Sequence, residues 1–192
     1  MGEITDPRVA GNRIAIGRTG FYDFDNPELS EFELDDILVG LSRIRRFTGQ
    51  SGISVLQHSI NVYHAARQLG ANREEQRQAL FHDAHEAFVG DVVRPIWSRL
   101  RRFDTHDELN QMHIAAMQCI GNRFGFDWFP ADVVKDADNH VLALEIRDEF
   151  EVDHATWGCP LNPSARDRRG THMNTLRWLG DVFKQIEKET RP

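Results

Sequence analysis

The sequence predicts an all-α fold: a single domain, residues 1–192, built as a bundle of five to six main helices. Three observations carry that expectation. Apolar residues recur at steps of three and four through most of the chain beyond residue 33, the period of a helix with one buried face. Gly49, Gly70 and Gly90 stand at the ends of three such segments, where a helix stops readily. A chain of 192 residues, 40% of them apolar, is enough for one sizeable core, and nothing in it asks for a second.

Composition narrows the function classes. The net charge of −7 argues against a general surface for polymeric nucleic acid, leaving Arg43, Arg45 and Arg46 as a local basic cluster that can meet phosphate or end a helix in solvent. Cys119 and Cys159 are too few and too scattered for a disulfide framework or a thiolate zinc site. No apolar run approaches membrane length, and MGEITDPRVAGNR has acidic and polar residues where a signal peptide needs a basic and then an apolar segment. A cytoplasmic location is the expectation. There is no internal repeat, low-complexity tract or Gly-rich phosphate loop.

Residues 1–33 read as an irregular N-terminal arm, with 11–24 a short hairpin or an extended segment. Asp23, Asp25 and Asn26 lack the spacing and closing Glu of a calcium loop, so turn chemistry explains them better. The first helix is expected over 34–47, with Ile37, Leu38, Leu41 and Ile44 as its stripe and Arg46 and Phe47 at its end. In the second, 53–69, His58 shares a face with Val62, Ala65, Ala66 and Leu69 and so points inward. The third, 73–90, packs Leu80, Ala84, Ala87 and Phe88 on one side and sets His82 and Glu86 one turn apart on the other, with Asp83 beside them. The fourth, 105–124, packs through Leu109, Met112, Ala116, Cys119 and Ile120, and Phe126, Trp128 and Phe129 are expected to cover the bundle end. In the fifth, 131–150, Asp138 shares its face with Val134, Val141, Leu142 and Glu145. Residues 151–168 read as irregular, and 172–187 as a final amphipathic helix suited to packing or an oligomer contact.

His58, His82, Asp83 and Asp138 thus point inward from three helices. Unpaired, such groups are costly in a small core, and a divalent cation resolves the conflict. Two imidazoles and two carboxylates suit Co, Mn, Zn, Ni or Fe and argue against calcium, with a second Mg or Mn able to arrive with substrate. Such a centre suits hydrolysis at phosphorus. Glu86 is the candidate to activate water or relay a proton, and Asp91 to hold a substrate hydroxyl or position the water. Arg46, with Lys135 as a second candidate, can neutralise phosphate charge. The competing reading is structural: His82 and Asp83 form a fixed pair, while His58 and Asp138 are satisfied by backbone groups.

These residues resemble the HD-domain metal-dependent phosphohydrolases, whose signature is a histidine, a later His-Asp pair and a final aspartate. Here the matches are His58 in SVLQHS, His82 and Asp83 in HDAHEAFVGD, and Asp138 in VKDADNHVLALEIRDE. The similarity spans roughly residues 25–150 and lies nearest the branch of bacterial 5′-deoxyribonucleotidases and phage-type dATP triphosphohydrolases. It implies metal ligation by His58, His82, Asp83 and Asp138, a catalytic Glu86, a catalytic or substrate-binding Asp91, and Arg46 of RRFTG in the substrate pocket. The segment 48–53 is shorter than the corresponding phage-type loop, and Leu56-Gln57 replaces the common Ala-Glu. The expected activity is hydrolysis of deoxynucleotide phosphates, 5′-monophosphatase first, with triphosphohydrolase or a non-catalytic nucleotide-binding or scaffold module as alternatives. The resemblance also implies a homo-oligomer, a dimer or a larger ring.

Overall fold

The computed structural model describes residues 6–103, 106–153, 155 and 176–191, and their fold is all-α with one small sheet. That sheet is a hairpin of β1 (Arg13–Ile16) and β2 (Gly20–Asp23), so the N-terminal arm takes the first of its two expected forms. Arg13 lies opposite Asp23 and donates to it at 2.7 Å, tying the open end of the hairpin. At the turn, Gly17 has φ of 58° and sits so close to the first helix that a Cβ would lie 1.5 Å from Asp36 Oδ1. The Asp23 carboxylate accepts from the backbone N–H groups of Asp25 and Asn26, which is the turn chemistry expected there.

Helix α1 (Leu34–Arg43) opens on a capping box between Glu33 and Asp36. It is shorter than its sequence pattern suggests, because Ile44 is already extended and Arg45 pairs with Ser54 in an antiparallel bridge. Arg46 and Phe47 therefore belong to the reversal after α1 and not to its last turn. Helix α2 (Val55–Gln68) starts at Ser54, whose side chain accepts from Gln57 N–H, and lies at the centre of the bundle against α1, α3 (Arg73–Phe81), α7 (Asp132–Phe150) and α8 (Leu176–Thr190).

The segment expected as one helix over 73–90 is two. After α3, residues 82–85 form tight turns before the single turn of α4 (Glu86–Val89). A short α5 (Arg94–Leu100) begins with Pro95 in its first turn, and α6 (Glu108–Phe124) ends at Gly125 in the left-handed region. Six of these helices have nine residues or more, and the expected final helix runs to Thr190. Residues 172–175 and most of 151–168, including Trp157 and Pro160, fall outside the described residues.

The core joins Ile37, Leu41, Leu56, Leu80, Phe81, Ile120 and Phe183, with Phe81 stacked on Phe124 and Phe126. Phe126 is buried as expected, whereas Phe129 is 61% exposed: it turns outward beyond the core and carries the Lys135 ammonium over its ring. Arg77, 1% exposed, donates to the carbonyls of Phe124 and Glu187 and to Glu187 Oε1, latching α3 to α6 and α8. Among the described residues no helix is long and apolar enough to cross a membrane.

Candidate metal centre

His58 is fully buried in the second turn of α2, a helix that starts at the Ser54 cap and also buries Val55, Leu56, Val62 and Ala66. His82 and Asp83 arrive where α3 breaks. In the turns that follow, Ala84 N–H donates to the Phe81 carbonyl, Glu86 to Asp83 and Ala87 to Ala84, each spanning three residues instead of four. This tighter winding rotates successive side chains by more than the α-helical angle. The ring of His82 stabilises the break, because its Nδ1–H donates to the Ala79 carbonyl at 2.9 Å in the last turn of α3, where carbonyls lack helical partners. Asp138 comes from the second turn of α7, which packs against both α2 and α3.

The four sequence-predicted ligands meet. His58 Nε2 lies 3.3 Å from His82 Nε2 and 3.1 Å from Asp138 Oδ1. Asp83 Oδ2 lies 3.1 Å from His82 Nε2 and 3.5 Å from His58 Nε2, and His82 Nε2 is 3.9 Å from Asp138 Oδ1. Donor atoms held ~2.0–2.2 Å from one ion lie ~3 Å apart at adjacent octahedral positions and ~3.4 Å apart in a tetrahedron. The observed spacings fall in and around that range, and His58, His82 and Asp138 form a group that can hold a metal ion.

Tautomers support the same conclusion. The Ala79 carbonyl can only accept, so His82 carries its hydrogen on Nδ1. His58 Nδ1 lies 2.8 Å from Glu145 Oε1, and that carboxyl is held below its usual range: burial opposes this, but His58 and Arg46 outweigh it. Neutral imidazoles held this way turn two Nε2 lone pairs toward each other and toward two carboxylates, a set that only a positive charge reconciles. A proton answers part of the conflict. Burial and Arg46 would lower His58, yet Glu145 and Asp138 push it up to about 9. Asp83 sits well below the carboxylate range in spite of its burial, chiefly through His82.

Beside these side chains opens a cavity of about 550 Å³, lined in part by Arg46, Asp83, Glu86, Asp91, Arg94 and Asp138, with Phe47, Leu142, Ile146 and Phe150 as its apolar wall. Arg46 places Nη1 3.6 Å from Asp83 Oδ2 and donates Nε–H to Glu145 Oε2 at 3.3 Å. The reversal that aims it is strained, since Phe47 and Thr48 both have positive φ, at 57° and 54°. Such residues cost of order 1–3 kcal/mol each and persist where their surroundings impose them. Here Arg46 N–H is tied to the Ile53 carbonyl and Ser51 N–H to the Arg46 carbonyl, closing the loop.

Glu86 is buried beside the cavity with Oε2 unpartnered. Burial, then the charges of Asp83 and Asp91, hold its carboxyl well above the usual range. Asp91 lines the same cavity and receives a long contact of 3.5 Å from Thr48 N–H. Lys135 lies elsewhere: it is about half exposed, pairs with Asp132 at 3.0 Å and is absent from the lining described. A second arginine reaches the site from α5: Arg94 is mostly exposed and its Nη2 lies 3.8 Å from Asp138 Oδ2. Glu145 was legible only as a residue on the face of Asp138, two turns further along α7.

The fold and this cluster define a class: a helical bundle with a histidine and aspartate group able to hold a metal ion beside a cavity lined by both charged and apolar side chains. No protein-family model matches the chain. It is 32% identical over 143 residues to the uncharacterized protein YfdR of Escherichia coli, covering 73% of each chain, and it belongs to the family of that protein. It is also 32% identical over 93 residues to the uncharacterized protein RCAP_rcc00048 of Rhodobacter capsulatus, a match covering 45% of this chain and 46% of the other.

Proposed function

We propose that this chain is a metal-dependent phosphohydrolase of the HD-domain type that removes the 5′-phosphate from deoxynucleoside monophosphates. One observation carries the reading: four acceptor groups, His58, His82, Asp83 and Asp138, converge beside a cavity that also holds a buried arginine and a buried, unpartnered glutamic acid. Bound by those four residues, a Co, Mn, Zn, Ni or Fe ion, with a second Mg or Mn accompanying substrate, supplies Lewis acidity toward water and a phosphoryl oxygen. The rest falls to the protein. Arg46 offers guanidinium N–H groups to the phosphate, already oriented by Glu145 and Asp83. In its ionised form Glu86 accepts a proton from the attacking water as the new P–O bond forms and returns it to the departing O5′ as the P–O5′ bond breaks. Asp91 is available to a sugar hydroxyl, and Phe47, Leu142, Ile146 and Phe150 offer an apolar wall to the sugar and base.

Charge favours a single phosphate. The lining holds the acids Asp83, Glu86, Asp91 and Asp138 against Arg46 and Arg94, and Arg46 is already engaged with two carboxylates. A triphosphate needs further cationic groups, whereas Lys135 is paired with Asp132 and Arg99 lies over the Phe103 ring. A homo-oligomer belongs to the same reading and is measured by sedimentation.

The test is product analysis with the four deoxynucleoside mono- and triphosphates and Mn²⁺ or Co²⁺. Inorganic phosphate from monophosphates is expected, with Asp83→Asn inactive through loss of metal and Glu86→Gln slow with metal retained. Tripolyphosphate from a triphosphate would reassign the substrate, and tight nucleotide binding without turnover under any cation would make the chain a binding module.

A further inference from the structure

We propose that Glu145 is a positioning residue that fixes both the metal-facing nitrogen of His58 and the aim of Arg46, so that this one carboxylate couples metal affinity to phosphate affinity. The inference rests on the metal-centre reading above and extends it to a residue outside the ligand set.

Glu145 is 3% exposed and sits seven residues beyond Asp138, on the same face of α7. Each of its oxygens meets a different element. Oε1 accepts from His58 Nδ1 on α2 at 2.8 Å, and Oε2 accepts from Arg46 Nε in the strained reversal before α2 at 3.3 Å. A carboxylate removed from water to this degree is costly unless matched by donors, and these two match it. Being acceptor only, it draws the imidazole hydrogen to Nδ1 and leaves the Nε2 lone pair facing His82, Asp83 and Asp138. The same carboxylate holds Arg46 Nε, so the far edge of the guanidinium, with Nη1 3.6 Å from Asp83, faces the cavity. Ala143 and Ile146, both buried, anchor this turn of α7 in a small apolar cluster with Phe47, Leu142 and Val152.

Substitutions separate position from volume. In Glu145→Gln the amide oxygen can accept from His58, but the amide nitrogen then meets the Arg46 N–H and two donors collide. In Glu145→Asp the side chain is one methylene short and cannot span both partners.

The experiment is calorimetric titration of wild type, Glu145→Gln and Glu145→Asp with Mn²⁺, followed by inorganic phosphate on each Mn²⁺-loaded protein, with thermal unfolding as the check on folding. Loss of a partner that orients a metal ligand weakens metal binding by roughly 10- to 100-fold. A loss in that range is expected for Glu145→Gln, together with weaker phosphate binding. Wild type that takes up no Mn²⁺ or Zn²⁺ sinks the metal-centre reading and this proposal with it. Wild type that binds while Glu145→Gln matches it within about twofold in both titrations sinks only the positioning role. If the variants do not fold, histidine-selective ¹⁵N spectra of Zn²⁺-loaded wild type decide: His58 is expected to be protonated at Nδ1 and metal-bound through Nε2. An unprotonated Nδ1 overturns the proposal.

Discussion

The proposed metal centre predicts a thermal response that can be sized in advance. With its ligand atoms already 3.1–3.9 Å apart, the site needs little rearrangement to take an ion, so binding free energy passes into stability of the folded state. An ion at 100 times its Kd adds about 2.7 kcal/mol. For a chain of 192 residues with an unfolding entropy of ~2.1 cal/mol/K per residue, that amounts to a rise of about 7 °C in Tm. The assay is differential scanning calorimetry of chelator-treated protein, with Mn²⁺, Co²⁺, Zn²⁺, Ni²⁺ and anaerobic Fe²⁺ added singly, on wild type and Asp138→Asn. Wild type is expected to shift with at least one ion, and the variant to lose most of that shift. If no ion moves wild type by even ~1 °C at millimolar concentration, the cluster is no metal centre. If wild type and Asp138→Asn shift alike, the ion binds somewhere else.

Lys135→Ala is expected to leave KM for a nucleotide substrate within about twofold of wild type, since its ammonium faces Asp132, while Arg46→Ala removes the guanidinium beside Asp83 and should raise KM and lower kcat together. Arg77→Met strands the buried Glu187 with only Arg191 to meet it, and breaking a buried pair costs about 3–5 kcal/mol, measured by urea unfolding. Burial alone would raise the Glu187 carboxyl, but hydrogen bonds from Arg191 and Arg77 hold it below its ordinary value. Its contribution is therefore complete above the unfolded pKa near ~4.3 and lost as pH falls through the lower folded value, so wild type should lose more stability than Arg77→Met over that acid range. Gly17→Ala forces a Cβ into Asp36 at positive φ and should lower stability by about 1–3 kcal/mol by the same unfolding assay.

Much of this molecule is written in its apolar period. The stripe of Ile37, Leu38 and Leu41 and the face that carries His58 beside Val62 and Ala66 both form as the spacing predicts, because a helix with one buried side leaves that trace in any order of packing. The break between α3 and α4 leaves none. Leu80, Ala84 and Phe88 keep their helical spacing and are all buried, so the pattern runs straight through turns created by short hydrogen bonds and a histidine on a carbonyl. The convergence of His58, His82, Asp83 and Asp138 was legible because an inward polar group violates the pattern around it. Glu145 violates the pattern too, but its partner Arg46 lies 99 residues away, and nothing local marks the pairing. Lys135 misled for the opposite reason: nearness to Asp138 along a helix says nothing about which neighbour offers the better ion pair, and Asp132 sits one turn back.

The break after α3 carries one more consequence. Since the His82 imidazole, a ligand in the proposed centre, serves as the stopper for that helix, occupancy of the centre and fraying of residues 82–88 are expected to be two readings of one equilibrium. The amides of Ala84, Glu86, Ala87 and Phe88, each held by a single short turn, should then exchange with deuterium more slowly as cation is added, offering a gauge of the centre that needs no knowledge of the substrate.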